Sequence, residues 1–268
     1  GNESVSLSGD YLAVGHVGFN DDPTNKPEGA VVIYKRVGST WVVLQTLRAP
    51  TTLNSGAPAN KGFGETVVLK GKYLVASFQN YSTASVSKTG RAVVYKKNDI
   101  TGLYEQDGIL QPTNDIANQL FSKAIDITNV ENGSPRLALT SRDNPYHTIY
   151  IFERGHALGD STAADAPAWH PLNSLPSNVI PSIRDNTNYG GIVRISGDNL
   201  VIGENGYDEV NASNNGKIYH YEYNNDTNIW DPKLQYRGDT TVAESNFGFG
   251  LDLSDDDKGY LIIGSPGK

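Results

Sequence analysis

Oxygen-bearing side chains crowd a few short segments of this 268-residue chain. Asp252, Ser254, Asp256 and Asp257 put four hard donors close together, the sort of clustering that wraps a Ca²⁺ ion in a hairpin loop. Asp21 and Asp22, flanked by Asn20 and Asn25, form a weaker group. Two more are Asp126, Asn129, Glu131, Asn132 and Glu204, Asn205, Asp208, Glu209. Acidic, amide-rich turns are also the ordinary composition of solvated hairpin tips. Ca²⁺ is therefore the one cofactor the pattern offers, without requiring it.

Catalytic signals are sparse. His16, His147, His156, His170 and His220 form no His-Glu-x-x-His or other close metal spacing. There is no Gly-x-Ser-x-Gly elbow, and Gly264-Ser265-Pro266-Gly267-Lys268 lacks phosphate-loop spacing. Gly62-Phe63-Gly64 and Gly248-Phe249-Gly250 open no helix, so they are not dinucleotide fingerprints. Among 30 acidic residues a carboxylate pair for glycoside cleavage stays open, because only spatial arrangement decides it. No catalytic residue is assigned.

Three recognition signals accompany these. Asn-x-Ser/Thr occurs at Asn2, Asn80, Asn132, Asn211 and Asn225, which become glycosylation acceptors if the source is eukaryotic and the protein secreted. Arg237-Gly238-Asp239 is an adhesion tripeptide, a weak motif alone. Tyr34, Tyr95, Tyr150 and Tyr219 recur at one strand place and Trp41, Trp169 and Trp230 at another, as packing positions do. Phe19, Phe78, Tyr81, Tyr146 and Tyr207 read as non-periodic loop aromatics.

Composition bounds the rest. The net charge of −8 supplies no excess cation for nucleic-acid phosphate. The absence of Cys removes disulfides and thiolate chemistry together. No apolar run is long enough for a membrane-spanning helix. The sequence lacks Met and starts at Gly1, the expectation for a processed or partial chain.

The elements that position these residues repeat. An apolar strand, a tight turn and a second strand read Val5–Gly15, and return at Val67–Ser77 and Val193–Gly203, with longer turns at Ile125–Ser141 and Leu251–Gly264. Aromatic–small pairs precede four copies: Phe63-Gly64, Phe121-Ser122, Tyr189-Gly190 and Phe247-Gly248. A third strand follows each complete copy, and a fourth starts at Trp41, Tyr104, Trp169 or Trp230. β-branched and aromatic strands with Gly-rich turns and no amphipathic helix predict an all-β chain of four-stranded units, a β-propeller. The units run about 1–60, 61–118, 119–186, 187–245 and an incomplete 246–268, within a single propeller domain or segment over 1–268.

The combination of Phe63-Gly64, Phe247-Gly248, Gly29-Ala30-Val31 and Gly264-Ser265-Pro266 resembles the FG-GAP repeat over nearly the whole chain. That repeat builds the seven-bladed propeller of integrin α-subunit heads and of many secreted proteins. The resemblance implies FG-GAP-like blades, about four and a half of them present, as part of a seven-bladed propeller. It also implies calcium loops of the form Asp-x-Asp-x-Asp-Gly-x-x-Asp. The Asp252 segment departs from that form, with Tyr260 at its ninth place and Gly displaced.

The expected function is a non-enzymatic module at the cell surface or outside the cell, serving adhesion, ligand binding or structural assembly. Its partners would be a protein or glycan ligand, or copies of itself, met through loops such as His16–Glu28, Phe78–Gly90 and Glu204–Gly216. A secreted enzyme acting on polysaccharide or phospholipid, and a surface-filament subunit, are the alternatives.

Overall fold

The computed structural model describes residues 4–20, 29–53, 62–128, 134–142, 147–155, 168–176, 188–209, 213–239, 241–254 and 259–267. The chain divides into two compact units, Gly1–Lys123 and Ala124–Lys268.

The first unit holds two four-stranded antiparallel sheets in sequential order. Sheet one comprises β1 (Val5–Ser8), β2 (Tyr11–His16), β3 (Ala30–Val37) and β4 (Thr40–Arg48). A 3-10 turn over Thr51–Leu53 leads on toward sheet two, which is β5 (Val67–Lys70), β6 (Tyr73–Phe78), β7 (Arg91–Lys97) and β8 (Tyr104–Leu110).

The second unit holds two further four-stranded sheets and a two-stranded one. Sheet three is β9 (Ile125–Ile127), β10 (Arg136–Ser141), β11 (Thr148–Gly155) and β12 (Ala168–Pro176). Sheet four is β13 (Tyr189–Ser196), β14 (Asn199–Glu204), β15 (Lys217–Asn224) and β16 (Ile229–Arg237). The two-stranded sheet pairs β17 (Gly250–Leu253) with β18 (Leu261–Gly264). The fold is thus all-β, made of meandering antiparallel sheets of the propeller-like kind. Among the described residues no helix is long and apolar enough to cross a membrane.

Local chemistry explains the elements. The first hairpin of sheets one, two and four closes on two residues, and Gly9, Gly71 and Gly197 take the positive φ such turns need. At the far end of sheets two and four, Asn98 and Asn224 cap the β7–β8 and β15–β16 hairpins. Each side-chain oxygen accepts two backbone N–H bonds two and three residues ahead.

Period-two alternation then sorts side chains to two faces. Leu69, Leu74 and Val93 of sheet two are fully buried against Val31, Ile33 and Leu47 of sheet one. Val193, Ile195 and Leu200 of sheet four are buried with Ala138, Ile149 and Ile151 of sheet three. Each such Val, Leu or Ile contributes about 1.5–3 kcal/mol of burial.

Polar atoms fix the register between neighbouring sheets. Ser4, Ser6 and Ser8 of the first repeat accept from the Val67, Leu69 and Gly71 amides at 3.0, 2.9 and 3.0 Å. In the second unit Asp126 accepts from the Ile195 amide at 2.9 Å.

Register also revises one alignment of aromatics. A bulge places one extra residue in β4, β8, β12 and β16, opposite the third strand just before Tyr34, Tyr95, Phe152 and Tyr221, so these four are equivalent. Tyr150 and Tyr219, expected at that place, sit two residues earlier. A shift of two keeps the same face, which is why both remain buried. Trp41, Tyr104, Trp169 and Trp230 do align, each opposite the residue two beyond that aromatic.

Candidate functional site

The loops joining the second and third strands stand on a common frame. Past the end of β2, β6 and β14 the chain turns on Phe19, Tyr81 and Tyr207. Their amides donate to the carbonyls of His16, Phe78 and Glu204 at 3.0, 3.1 and 3.1 Å. Their carbonyls accept from Gly29, Gly90 and Gly216 at 3.3, 3.1 and 3.0 Å. A cation lies on each ring: Arg48 at 4.1 Å from the Phe19 centroid, Arg91 at 4.8 Å from Tyr81 and Lys217 at 4.8 Å from Tyr207. Phe19, Tyr81 and Tyr207 are therefore periodic, which corrects their reading as irregular loop aromatics.

The next repeat seals each frame from behind. Asn118, Leu120 and Phe121 donate backbone N–H bonds to Ser87, Lys88 and Thr89, and Glu244, Asn246 and Phe247 donate to Ser213, Asn214 and Asn215. The approach is close enough that a Cβ on Gly90 would stand 2.5 Å from the Phe121 nitrogen, so glycine is required there. The small residue after each aromatic takes positive φ as well, at Gly64, Ser122, Gly190 and Gly248. Ser122 is the exception to glycine, and its hydroxyl donates to the Arg91 carbonyl at 2.7 Å.

Loop content varies above the frame. Residues 82–88 carry a Ser/Thr turn, with Val86 N donating to Thr83 Oγ1 and Lys88 N to Ser82 Oγ, both at 3.0 Å. The corresponding loop of sheet four carries Asp208, whose Oδ1 accepts from Asn214 N at 2.8 Å.

Sheet four also holds ionisable groups beneath its loop. Glu204 is fully buried at the end of β14 and accepts the Tyr219 hydroxyl. Lys217 pairs across the sheet with both Glu204 and Arg237, and its ammonium lies 4.7 Å from the Tyr219 ring. Arg237 in turn meets Glu209 Oε1 at 2.7 Å. Burial pulls the Lys217 pKa down, aided by Arg237, against the opposing pull of Glu204 and Glu209. Burial pushes the Tyr189 and Tyr219 hydroxyls well above the usual tyrosine range and Tyr221 up to about 12. Two carboxylates and two cations thus form a charge-balanced network. Glu204 is not a solvated hairpin-tip acid, as its loop position suggested.

The other expected site residues fall as follows. Asp252 is exposed, accepts from the Leu253 amide at 3.1 Å and lies 3.6 Å from the Arg194 guanidinium. Ser254 Oγ accepts from the Tyr260 amide at 2.8 Å. Asp256, Asp257, Asp21 and Asp22 lie outside the described residues, as do Asn2, Asn132 and Asn211. Among the described residues no three His, Asp or Glu side chains converge as a metal-binding group. Asn225 stands exposed at the β15–β16 hairpin, where it bonds Asp198 at 3.1 Å, and Asn80 is half-buried in the Phe78–Gly90 loop. The Arg237-Gly238-Asp239 tripeptide is engaged at each end. Arg237 pairs with Glu209, and Asp239 Oδ1 accepts from the Thr241 hydroxyl at 2.6 Å.

No family model and no curated protein matches the chain. Among solved structures, a protein from Lactobacillus plantarum is similar over 97% of this chain at 16% identity and a TM-score of 0.52, a likeness of fold alone. The chain spans 63% of that protein's length. A GH32 β-fructofuranosidase of Bombyx mori matches at 13% identity and a TM-score of 0.47, over 97% of this chain and 53% of its own.

Proposed function

We propose that this chain is a non-enzymatic binding module of an extracellular or cell-surface propeller of FG-GAP-like blades, meeting a protein or glycan partner through its strand-two-to-three loops. The carrying observation is the recurrent frame: one aromatic turn, one stacked cation and one glycine hinge support loops of different composition. A rigid support under variable loops is how folds present recognition surfaces. The ionisable groups at the sheet-four frame favour this reading over catalysis. Glu204 is fully buried and Glu209 is paired with Arg237, so neither carboxylate stands free to act on a polysaccharide or phospholipid.

The test replaces residues 82–87 with a Gly/Ser segment of equal length and compares the protein with its parent. Both are probed with panels of immobilised glycans and extracellular-matrix proteins, and with polysaccharide and phospholipid turnover assays. The reading expects specific capture by the parent, loss of capture in the variant, an unchanged melting temperature and no turnover by either. Turnover of any panel substrate, or capture that survives the replacement of this loop and of residues 208–214, contradicts it.

A further inference from the structure

The end of sheet two away from its Phe78–Gly90 loop carries an apolar tip set among lysines. The turn between β5 and β6 and the hairpin between β7 and β8 both lie at that end. At the hairpin tip Ile100 is 95% exposed, the most open of the large apolar side chains among the described residues, and Leu103 is 37% exposed. Lys70, Lys72, Lys96 and Lys97 stand on the same two segments against two acids, Asp99 and Glu105, in a chain whose net charge is −8. Both acids are engaged. Lys72 pairs with Asp99 at 2.8 Å, and the Asn98 side chain donates to Glu105 at 2.9 Å. Lys72 first, then Lys97 and Lys96, hold the Asp99 carboxyl below its ordinary range. Sheet one continues the sign, with Lys35 and Arg36 at the Lys96 and Lys97 places and Asp10 paired to Arg36.

The frame does not require this chemistry, as sheet four shows. Where sheet two has Lys72, Lys96 and Ile100, the matching turn and hairpin of sheet four have Asp198, Glu222 and Asp226. The sheet-two tip is also built to leave water. Asn98 Oδ1 accepts from the Ile100 and Thr101 amides at 2.9 and 3.1 Å, and its carbonyl accepts from Gly102 at 2.8 Å. The Thr101 hydroxyl accepts from the Leu103 amide at 3.2 Å. An amide already bonded within the hairpin loses little on entering a poorly hydrated boundary. An acidic glycan or a nucleic acid would use the lysines and leave Ile100 in water. An anionic bilayer uses both, since lysine stems let their ammonium groups stay at the phosphates while an apolar tip sinks below them.

We propose that this end of sheet two docks on an anionic lipid surface. Ile100 and Leu103 enter the boundary between headgroups and acyl chains, and Lys70, Lys72, Lys96 and Lys97 meet the lipid phosphates. The surface lies at the opposite end of sheet two from the recognition loop, so the two readings are tested separately.

The experiment is cosedimentation of the whole chain with vesicles of phosphatidylcholine and phosphatidylglycerol in a two-to-one ratio, against vesicles of phosphatidylcholine alone. The wild type is expected to bind the mixed vesicles, to ignore the neutral ones, and to release as salt rises. The double variant Lys72→Gln, Lys96→Gln is expected to bind about fivefold more weakly for each charge removed. Ile100→Asp copies sheet four at a site too exposed to threaten folding, and is expected to cost about tenfold or more. Ile100→Trp is expected to keep binding and to add a blue-shifted emission on the mixed vesicles. Melting curves check that each variant is folded. A wild type that stays in the supernatant at low salt overturns the proposal. So does wild-type binding by folded Ile100→Asp or by the lysine variant, or an Ile100→Trp emission that vesicles leave unchanged. Retention on an acidic polysaccharide without vesicle binding assigns the lysines to a polyanion and overturns it as well.

Discussion

Sheets two and four solve the same structural problem with different chemistry. Both must anchor a loop at the end of their second strand and receive the leader of the next repeat behind it. Sheet two does so with an apolar plug: Phe78 packs edge-on to Phe63 at 5.9 Å and against Tyr81 at 5.7 Å. Its cation, Arg91, is held by both oxygens of Asp115 at 2.9 and 3.1 Å. Sheet four puts Glu204 where Phe78 stands and Lys217 where Arg91 stands, and draws in Tyr219, Glu209 and Arg237. The backbone frame is unchanged. The difference teaches that the frame specifies where a cation must lie, while its counter-charge comes from whichever neighbour the sequence supplies.

The largest test of that comparison is Glu204→Leu. It leaves Lys217 buried without its carboxylate, and removing one partner of a buried pair costs about 3–5 kcal/mol. Adding Lys217→Met removes the cation left without that carboxylate and should recover most of the loss in urea denaturation. A double variant as unstable as the single one would show that Glu204 does not act through Lys217. In sheet two, Arg91→Ala removes a fork held by Asp115, Thr89 Oγ1 and the Gly90 carbonyl. Asp115 is partly solvated, so the expected cost is about 2–3 kcal/mol.

Alkaline titration sharpens the contrast from the other side. An unfolded tyrosine ionises near its ordinary value of 10.0, whereas Tyr221 holds its proton up to about 12 and Tyr189 and Tyr219 hold theirs higher than usual. The folded state then binds more protons above that ordinary value. Stability from these groups is complete below about pH 10 and falls between about pH 10 and 12, by about 1.4 kcal/mol per pH unit for each tyrosine. Lys217 opposes this at lower pH. Its depressed pKa makes the folded state bind fewer protons, so its penalty shrinks as pH rises toward 10.5. Melting temperature against pH, with tyrosinate absorbance as the second signal, should show a late, cooperative release. Early, non-cooperative ionisation would deny the buried cluster.

The smallest effect is expected at Ser122→Gly. Relief of a positive-φ strain of about 1–3 kcal/mol is offset by a lost buried hydrogen bond of about 1 kcal/mol and by glycine's greater unfolded-state freedom. The net change should stay within about 1 kcal/mol by thermal denaturation.

The sequence showed the strands because their alternation and spacing are periodic, and it aligned Trp41, Tyr104, Trp169 and Trp230 because no bulge separates them from the hairpin. It misplaced Tyr150 and Tyr219 because aromatics two residues apart share a face, and only pairing with the second strand, Leu137 with Phe152 and Leu200 with Tyr221, decides between them. The frame aromatics were hidden by unequal loop lengths. The signal that finds them is local: each stands three residues past the last residue of the second strand, and a glycine directly precedes the third. Glu204 was legible as a loop acid and not as a buried one, since burial depends on Tyr219 and Lys217 arriving from another strand.

If a rigid recurrent frame carries replaceable loop tips, native-state hydrogen exchange must separate the two. The amides of Tyr81, Gly90, Tyr207 and Gly216 are expected to exchange only with opening of their whole sheet, while those of Ala84 and Ser85 at the exposed tip exchange quickly. Frame amides that exchange as fast as the tip would contradict it.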